Sequence, residues 1–262
     1  MGGMRAVPAA IAILIALLSA LLAPVVGARI LDTYEYLDFT RSPSSEKAYR
    51  YGNAHFGERS LSYDLAKARA YFLHAVGLGE HPLAYHQLSR IAFLEGHFDE
   101  ALALVDIQLQ KYAGPPNARY VRGLILGYMG RYEEAAGEYE SYLESDPNNW
   151  AAVNDYAWVL LKAEHPTEAL DAIEKVLPLW PENPWLLNSA AIAVHEIGDD
   201  AKARAYIARA AEHVVSLTEK DWHVAYPGND PRSARDGVAT LKRSILDNMH
   251  TIATAREDSA VQ

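Results

Sequence analysis

The feature that most constrains this chain is self-similarity at a fixed interval. The segment Gly96-His97-Phe98-Asp99-Glu100-Ala101 is echoed by Gly130-Arg131-Tyr132-Glu133-Glu134-Ala135. Weaker echoes follow at Glu164-His165-Pro166-Thr167-Glu168-Ala169 and Gly198-Asp199-Asp200-Ala201-Lys202-Ala203, and every step is 34 residues. Other columns keep the same register. Ser89, Gly123, Ala157 and Ala191 are small, Val105, Tyr139, Ile173 and Ile207 are bulky, and Pro147 and Pro181 lie one period apart. A unit this short cannot bury an apolar face by itself, so neighbours must stack and share their cores. Half of the 262 residues are apolar, and the period spreads them along a line of repeat interfaces.

Within one period the pattern is that of two helices. Leu160, Ala169, Leu170, Ile173, Val176 and Leu177 recur at helical spacing and form a continuous apolar stripe. Small residues at 123, 157 and 191, and Ala135, Ala169 and Ala203, let two backbones approach closely. Gly96, Gly130 and Gly198 are suited to a left-handed turn between the helices. Asp146-Pro147-Asn148-Asn149 and Pro181-Glu182-Asn183-Pro184 stop one unit and start the next. On these residues, Pro82 to about Leu217 resembles the tetratricopeptide family, whose repeat is a pair of antiparallel helices. The resemblance implies an all-α, right-handed α-solenoid with four repeats over 82–217. Three positions depart from the family pattern: Arg122 stands for a large apolar residue, Glu164 for the turn glycine and Gln108 for a small residue.

Upstream, residues 47–81 resemble the related Sel1-like repeat through Tyr51-Gly52, Ala66-Lys67-Ala68, Ala75 and Gly79, with Ala84 just beyond and Gly57 to Tyr63 as a long internal loop. This adds one helix pair, for about five in all. Residues 29–46 read as a linker in which Tyr34, Tyr36, Leu37 and Phe39 are available to cap the first pair. Residues 218–231 read as a loop, and Val238, Leu241, Ile245, Met249 and Ile252 predict a capping helix within 232–262, followed by a frayed tail.

Residues Ala6 to Ala28 carry no charge, and the apolar run Ala9 to Leu22 follows Arg5. This is the layout of a secretory signal, with cleavage expected after Ala28. An uncleaved membrane anchor through residues 6–28 is the alternative, although Pro8 and Pro24 shorten the uninterrupted apolar stretch. Both readings place the rest of the chain outside the cytoplasm, as an exported, periplasmic protein that is either soluble or held at the inner membrane. The absence of cysteine excludes disulfides, thiolate metal sites, Cys nucleophiles and an N-terminal lipidated Cys.

The formal charge of −10 argues against nucleic acid as a partner, because nothing offsets phosphate repulsion. His81, His86 and His97 lie close in sequence, but spacings of five and eleven do not share a helical face, so no metal is expected. No phosphate loop, GxSxG elbow or HExxH is present, and neither catalytic residues nor a cofactor are expected. The ornamented stretch Trp222 to Arg232 reads either as a binding or general-acid constellation or, more simply, as a turn pinned by Trp222 and Tyr226. The acids Glu133, Glu134, Glu138, Glu140, Glu144 and Asp146 read as a solvated outer face.

The repeat register instead points to the face made by the first helix of each pair. Its groove-facing residues are His86, Arg90 and Phe93; Tyr120, Leu124 and Tyr128; Asn154, Trp158 and Lys162; and Asn188, Ile192 and His195. Aromatic rings with amides suit a peptide or helix laid in a groove. Only Arg90 and Lys162 are firmly basic, so the clamp with which some family members hold a C-terminal carboxylate is not implied. The expected function is an exported, non-catalytic scaffold or assembly factor that binds a protein or peptide partner. One alternative is an accessory subunit held in a membrane complex by residues 6–28, and another is an enzyme or ligand carrier using residues 222–232.

Overall fold

The computed structural model describes residues 26–27, 29–30, 32–56, 63–79, 81–112, 116–225 and 233–259, and the regular structure among them is helical. Of the expected export segment, 1–28, all but residues 26–27 lies outside the described residues. So do most of the expected internal loop at 57–63 and the second half of the ornamented stretch, residues 226–232. No helix among the described residues is long and apolar enough to cross a membrane. The chain divides into two compact units, Met1–Ala84 and Tyr85–Gln262.

In the first unit, α2 (Ser45–Ala54) and α3 (Leu65–Gly79) form an antiparallel pair. Ser45 Oγ at the start of α2 donates to the Ala75 carbonyl near the end of α3 at 2.6 Å. Gly52 is required at the crossing, since a Cβ there would lie 2.6 Å from the Phe72 ring. Residues 29–46, expected to be a linker, carry a helix α1 at 32–41. The reason is charge pairing across the fold. Asp32, Glu35 and Asp38, three residues apart on one face, meet Lys67 and His55, Arg50, and Lys47 respectively. Phe39 packs edge-on against Tyr71 with centroids 5.3 Å apart, whereas Tyr34, Tyr36 and Leu37 are exposed.

The second unit contains four successive pairs: α4 (Pro82–Leu94) with α5 (Phe98–Lys111), α6 (Pro116–Tyr128) with α7 (Tyr132–Leu143), α8 (Trp150–Lys162) with α9 (Pro166–Val176), and α10 (Pro184–Ile197) with α11 (Asp200–Val214). Each pair closes with the same turn. His97, Arg131, His165 and Asp199 donate their N–H groups to the carbonyls of Ala92, Leu126, Leu160 and Val194, five residues back. This satisfies one of the last free carbonyls of each first helix and requires a left-handed residue immediately before the donor. Gly96, Gly130 and Gly198 supply it at φ 78°, 78° and 98°, and Glu164 is forced into the same conformation at φ 64°. The departure at 164 is therefore absorbed as local strain and not as a change of turn.

The first helices of the last two pairs are capped by side chains. Asn149 Oδ1 accepts from the Ala152 N–H, and Asn183 Oδ1 from those of Trp185 and Leu186. The small columns are buried at the crossings, and Ser89 satisfies its hydroxyl on the Ala101 carbonyl at 2.8 Å. Arg122 is held by Asp106 at 2.8 Å and Glu138 at 2.7 Å, so its charge is paired where the pattern expects an apolar side chain. Gln108 is fully buried.

After the last pair, residues 218–231 are not wholly a loop. A short helix α12 (Glu219–Ala225) forms because Asp221 Oδ2 accepts from both the N–H and Oγ1 of Thr218, closing its first turn. The final helix α13 (Ala234–Ser259) packs on α11 and α10. Its Ile245 and Ile252 join the core of the preceding pairs. Trp222 packs against Gly237 of α13, where no Cβ would fit, so this ring pins α12 to the capping helix.

Candidate functional site

The sequence-predicted groove residues sit on α4, α6, α8 and α10, and the structure gathers two groups among them. One column, with members 34 residues apart, is committed to holding neighbouring first helices together. The Tyr120 hydroxyl donates to Asp155 Oδ2 at 2.6 Å, and Ser189 Oγ donates to Asn154 Oδ1 at 2.9 Å. Asn188 Oδ1 accepts from Asn248 Nδ2 of α13 at 2.9 Å. The capping helix thus takes the place of a next first helix. The first two bonds span 35 residues, and the Trp150 and Trp185 rings meet at the same offset, with centroids 5.4 Å apart.

His86, in the same column of the first of these pairs, makes no such bond among the described residues. Burial, reinforced by the Arg90 guanidinium, pushes its pKa down to about 4 despite Gln108 beside it. It is neutral at physiological pH. Burial likewise pushes the Asp155 carboxyl up to about 6, although the hydrogen bonds from Tyr120 and Asn154 oppose the rise.

The second group is aromatic and lies at the far ends of the first helices. Phe93 meets Tyr128 edge-on at 5.0 Å, and Tyr128 meets Trp158 at 5.5 Å, so one ring from each of three successive first helices forms a ladder. Phe98 and Tyr132, from the following second helices, flank it at 5.6 Å from Phe93 and 6.3 Å from Trp158. Gly127 makes the ladder possible, because a Cβ there would lie 2.8 Å from the Trp158 ring and 3.0 Å from Val159. Tyr128 is 58% exposed. A ring this exposed, backed by two others, presents a rigid apolar surface with a hydroxyl at its edge. Its phenol is raised by burial of the inner part and by Asp155, and stays protonated.

The remaining predicted residues are spread along the same face. Leu124 and Ile192 are half-buried, and Lys162 is exposed at the end of α8. Arg90 donates to Gln87 at 2.9 Å, and His195 Nδ1 lies 2.8 Å from Asp200. Phe98 and Tyr132 were not legible as members of the site, since they open second helices and belong there only by completing the ladder.

Elsewhere, His81 stacks on Tyr49 at 4.2 Å and bonds Glu46, while His97 is exposed beside Glu95 and Glu100. Among the described residues no three His, Asp or Glu side chains converge to hold a metal. The acids of α7 are largely paired: Glu134 with Arg131, Glu138 with Arg119 and Arg122, and Glu133 with His165.

Residues 120–184 match the family model described as tetratricopeptide repeat. The fold is similar to that of YrrB, whose crystal structure is described as a TPR protein with an unusual peptide-binding site, at 16% identity over 70% of this chain and 93% of that one, with a TM-score of 0.60. It is also similar to MamA of AMB-1, at 16% identity over 72% and 95% with a TM-score of 0.56. A tetratricopeptide repeat protein from Parabacteroides merdae ATCC 43184 matches at 16% identity over 80% and 79%, with a TM-score of 0.56. No curated protein sequence matches. At such identities the likeness is one of fold, and the helix pairs of the second unit form a tetratricopeptide-type solenoid.

Proposed function

Starting from tetratricopeptide repeats over residues 120–184, we propose that this chain is an exported, non-catalytic scaffold that binds a protein or peptide partner on the face of its first helices. The observation that carries the reading is the Phe93–Tyr128–Trp158 ladder, with Tyr128 exposed over three helix pairs. Exposed aromatic rings locked by packing give up little conformational entropy on binding, and such rings dominate binding energy at protein interfaces. Arg90 and Lys162 border the ladder along the same helices and offer donors to a partner's carbonyls. A helix or an extended segment fits such a surface better than a small polar metabolite does. YrrB, with a related fold, is described as binding a peptide, which supports the class of partner and not its identity.

Export rests on the uncharged stretch 6–28 after Arg5. If the segment is retained, the same scaffold becomes an accessory subunit fixed in a membrane complex. N-terminal sequencing of the soluble and membrane fractions decides between the two, and a mature start at Arg29 in the soluble fraction means cleavage.

The binding face is tested by placing a photoreactive phenylalanine analogue at Tyr128 and, separately, at the exposed second-helix position Glu140, then irradiating cells. A discrete cross-linked partner is expected from position 128 and not from position 140. Equal labelling from both positions, or none from 128 under conditions where deletion of the chain has a phenotype, overturns the assignment.

A further inference from the structure

A second recess lies away from the ladder, at the turn between α9 and α10. It has a volume of about 380 Å3, within the range of specific ligand sites. Trp150, Trp180 and Trp185 form its walls together with Leu179, and its polar residues are Glu182, Asn183 and Asp221. Trp180 and Leu179 are 44% and 56% exposed, although the turn in which they stand needs neither ring nor branched chain to form. Trp185 is only 6% exposed, so the ring surface open to the recess comes mainly from Trp150 and Trp180. None of the lining residues is basic. The nearby Arg209 is directed to the Pro181 carbonyl at 2.6 Å. Asp221 is held below the ordinary carboxylate range by the Thr218 hydroxyl and N–H, so it keeps its charge well into mild acid.

Aromatic faces attract cations through the negative potential above the ring, and carboxylates at the rim add to that attraction. A guanidinium suits exposed indole surface better than an ammonium does, because it is planar, weakly hydrated and stacks. We propose that this recess receives an arginine side chain of a partner protein, at a site separate from the aromatic ladder. The formal charge of −10 on the whole chain favours the approach of such a basic partner.

The test uses the indole N–H resonances of the full chain labelled with 15N-tryptophan, whose five tryptophans give one signal each. N-acetyl-arginine amide is titrated up to ~50 mM, because a lone side chain binds weakly, and its neutral isostere N-acetyl-citrulline amide serves as the control. The arginine probe is expected to shift Trp150, Trp180 and Trp185 in a saturable way and to leave Trp158 in place, and citrulline is expected to bind about fivefold more weakly. Trp180→Ala, at an exposed position, should reduce the arginine affinity about fivefold, and Glu182→Gln about twofold. Equal response to both probes, no response, or an unchanged affinity in both variants overturns the proposal. Shifts centred on Trp158 would place the cation on the ladder and equally overturn it, while a failure of the ladder cross-link leaves this site standing.

Discussion

The Tyr120 hydroxyl on one first helix donates a 2.6 Å hydrogen bond to the Asp155 carboxylate on the next. That carboxyl is lifted to about 6 by burial, against 3.8 for an ordinary aspartate. Between these values the folded chain binds more protons than the unfolded one, so this group makes stability fall as pH rises from about 4 to 6 and level off above. The size is of order 2–3 kcal/mol. Asp155→Asn keeps an acceptor for Tyr120 and removes the charge. It should therefore be more stable than wild type by ~1–2 kcal/mol at pH 7.5 and no more stable at pH 4. Urea unfolding at the two pH values checks this, and an equal difference at both would rule out the ionisation as its cause.

His86 supplies the opposite slope in nearly the same window. Its folded pKa of about 4 lies below the ordinary 6.5 because burial and Arg90 disfavour the imidazolium. The unfolded chain then binds the extra proton, and stability from this group, present above about 6.5, is lost as pH falls toward 4. In wild type the two groups offset each other. In Asp155→Asn the histidine acts alone, so that variant should lose stability on acidification more steeply than wild type. A 1H–13C titration should find the His86 imidazole still neutral at pH 5.5.

The solenoid is legible in the sequence because backbone distances at a helix crossing fix side-chain size, and size recurs at 34 residues whatever the chemistry. Ser89, Gly123, Ala157 and Ala191 share only their smallness. The function of the column at 120, 154 and 188 is not legible in the same way. Its partners Asp155, Ser189 and Asn248 differ in charge and in whether they donate or accept, and Asn248 lies outside the repeats, so a residue read as facing a groove is found bonding its neighbour. Helix α1 escapes for a related reason. Asp32, Glu35 and Asp38 look like linker composition until the bases of α2 and α3 are brought opposite them. The tryptophans of the recess come from two repeats and the turn between them, which no single column of the period contains.

Glu164 holds the left-handed conformation that glycine holds in the other three turns. A side chain costs roughly 1–2 kcal/mol there, and replacing it with glycine returns part of that to the unfolded chain's entropy. Glu164→Gly is expected to raise stability by ~0.5–1 kcal/mol, and Gly130→Ala, at φ 78°, to lower it by ~1 kcal/mol or more. Thermal melts followed by circular dichroism give both signs, and a destabilised Glu164→Gly would mean that the glutamate side chain stabilises the turn by contacts of its own.

Gly127 separates the backbone of α6 from the Trp158 ring. A methyl group there would lie 2.8 Å from that ring and 3.0 Å from Val159, which the side chains relieve only by moving. Gly127→Ala should cost ~1–3 kcal/mol and should displace the Trp158 indole resonance. Because the ring belongs to the ladder, the variant should also weaken cross-linking from position 128. Gly137, on the surface of α7 with nothing within 4 Å, is the control: Gly137→Ala should be neutral or stabilising by up to ~1 kcal/mol through helix propensity.

The capping helix replaces a missing repeat, so its removal should be felt first by α10 and α11. Ile245 is fully buried and Ile252 nearly so, both within the core of those pairs, and Asn248 Nδ2 donates to the Asn188 side-chain oxygen, Oδ1. Ile245→Ala should cost ~2–4 kcal/mol, and Asn248→Ala about 1 kcal/mol. Stacked repeats draw much of their stability from neighbour interfaces. Hydrogen exchange in Ile245→Ala should therefore accelerate most in α10 and α11, less in α8 and α9, and least in α4 and α5. Uniform acceleration through all four pairs would show instead that the second unit unfolds as one cooperative block.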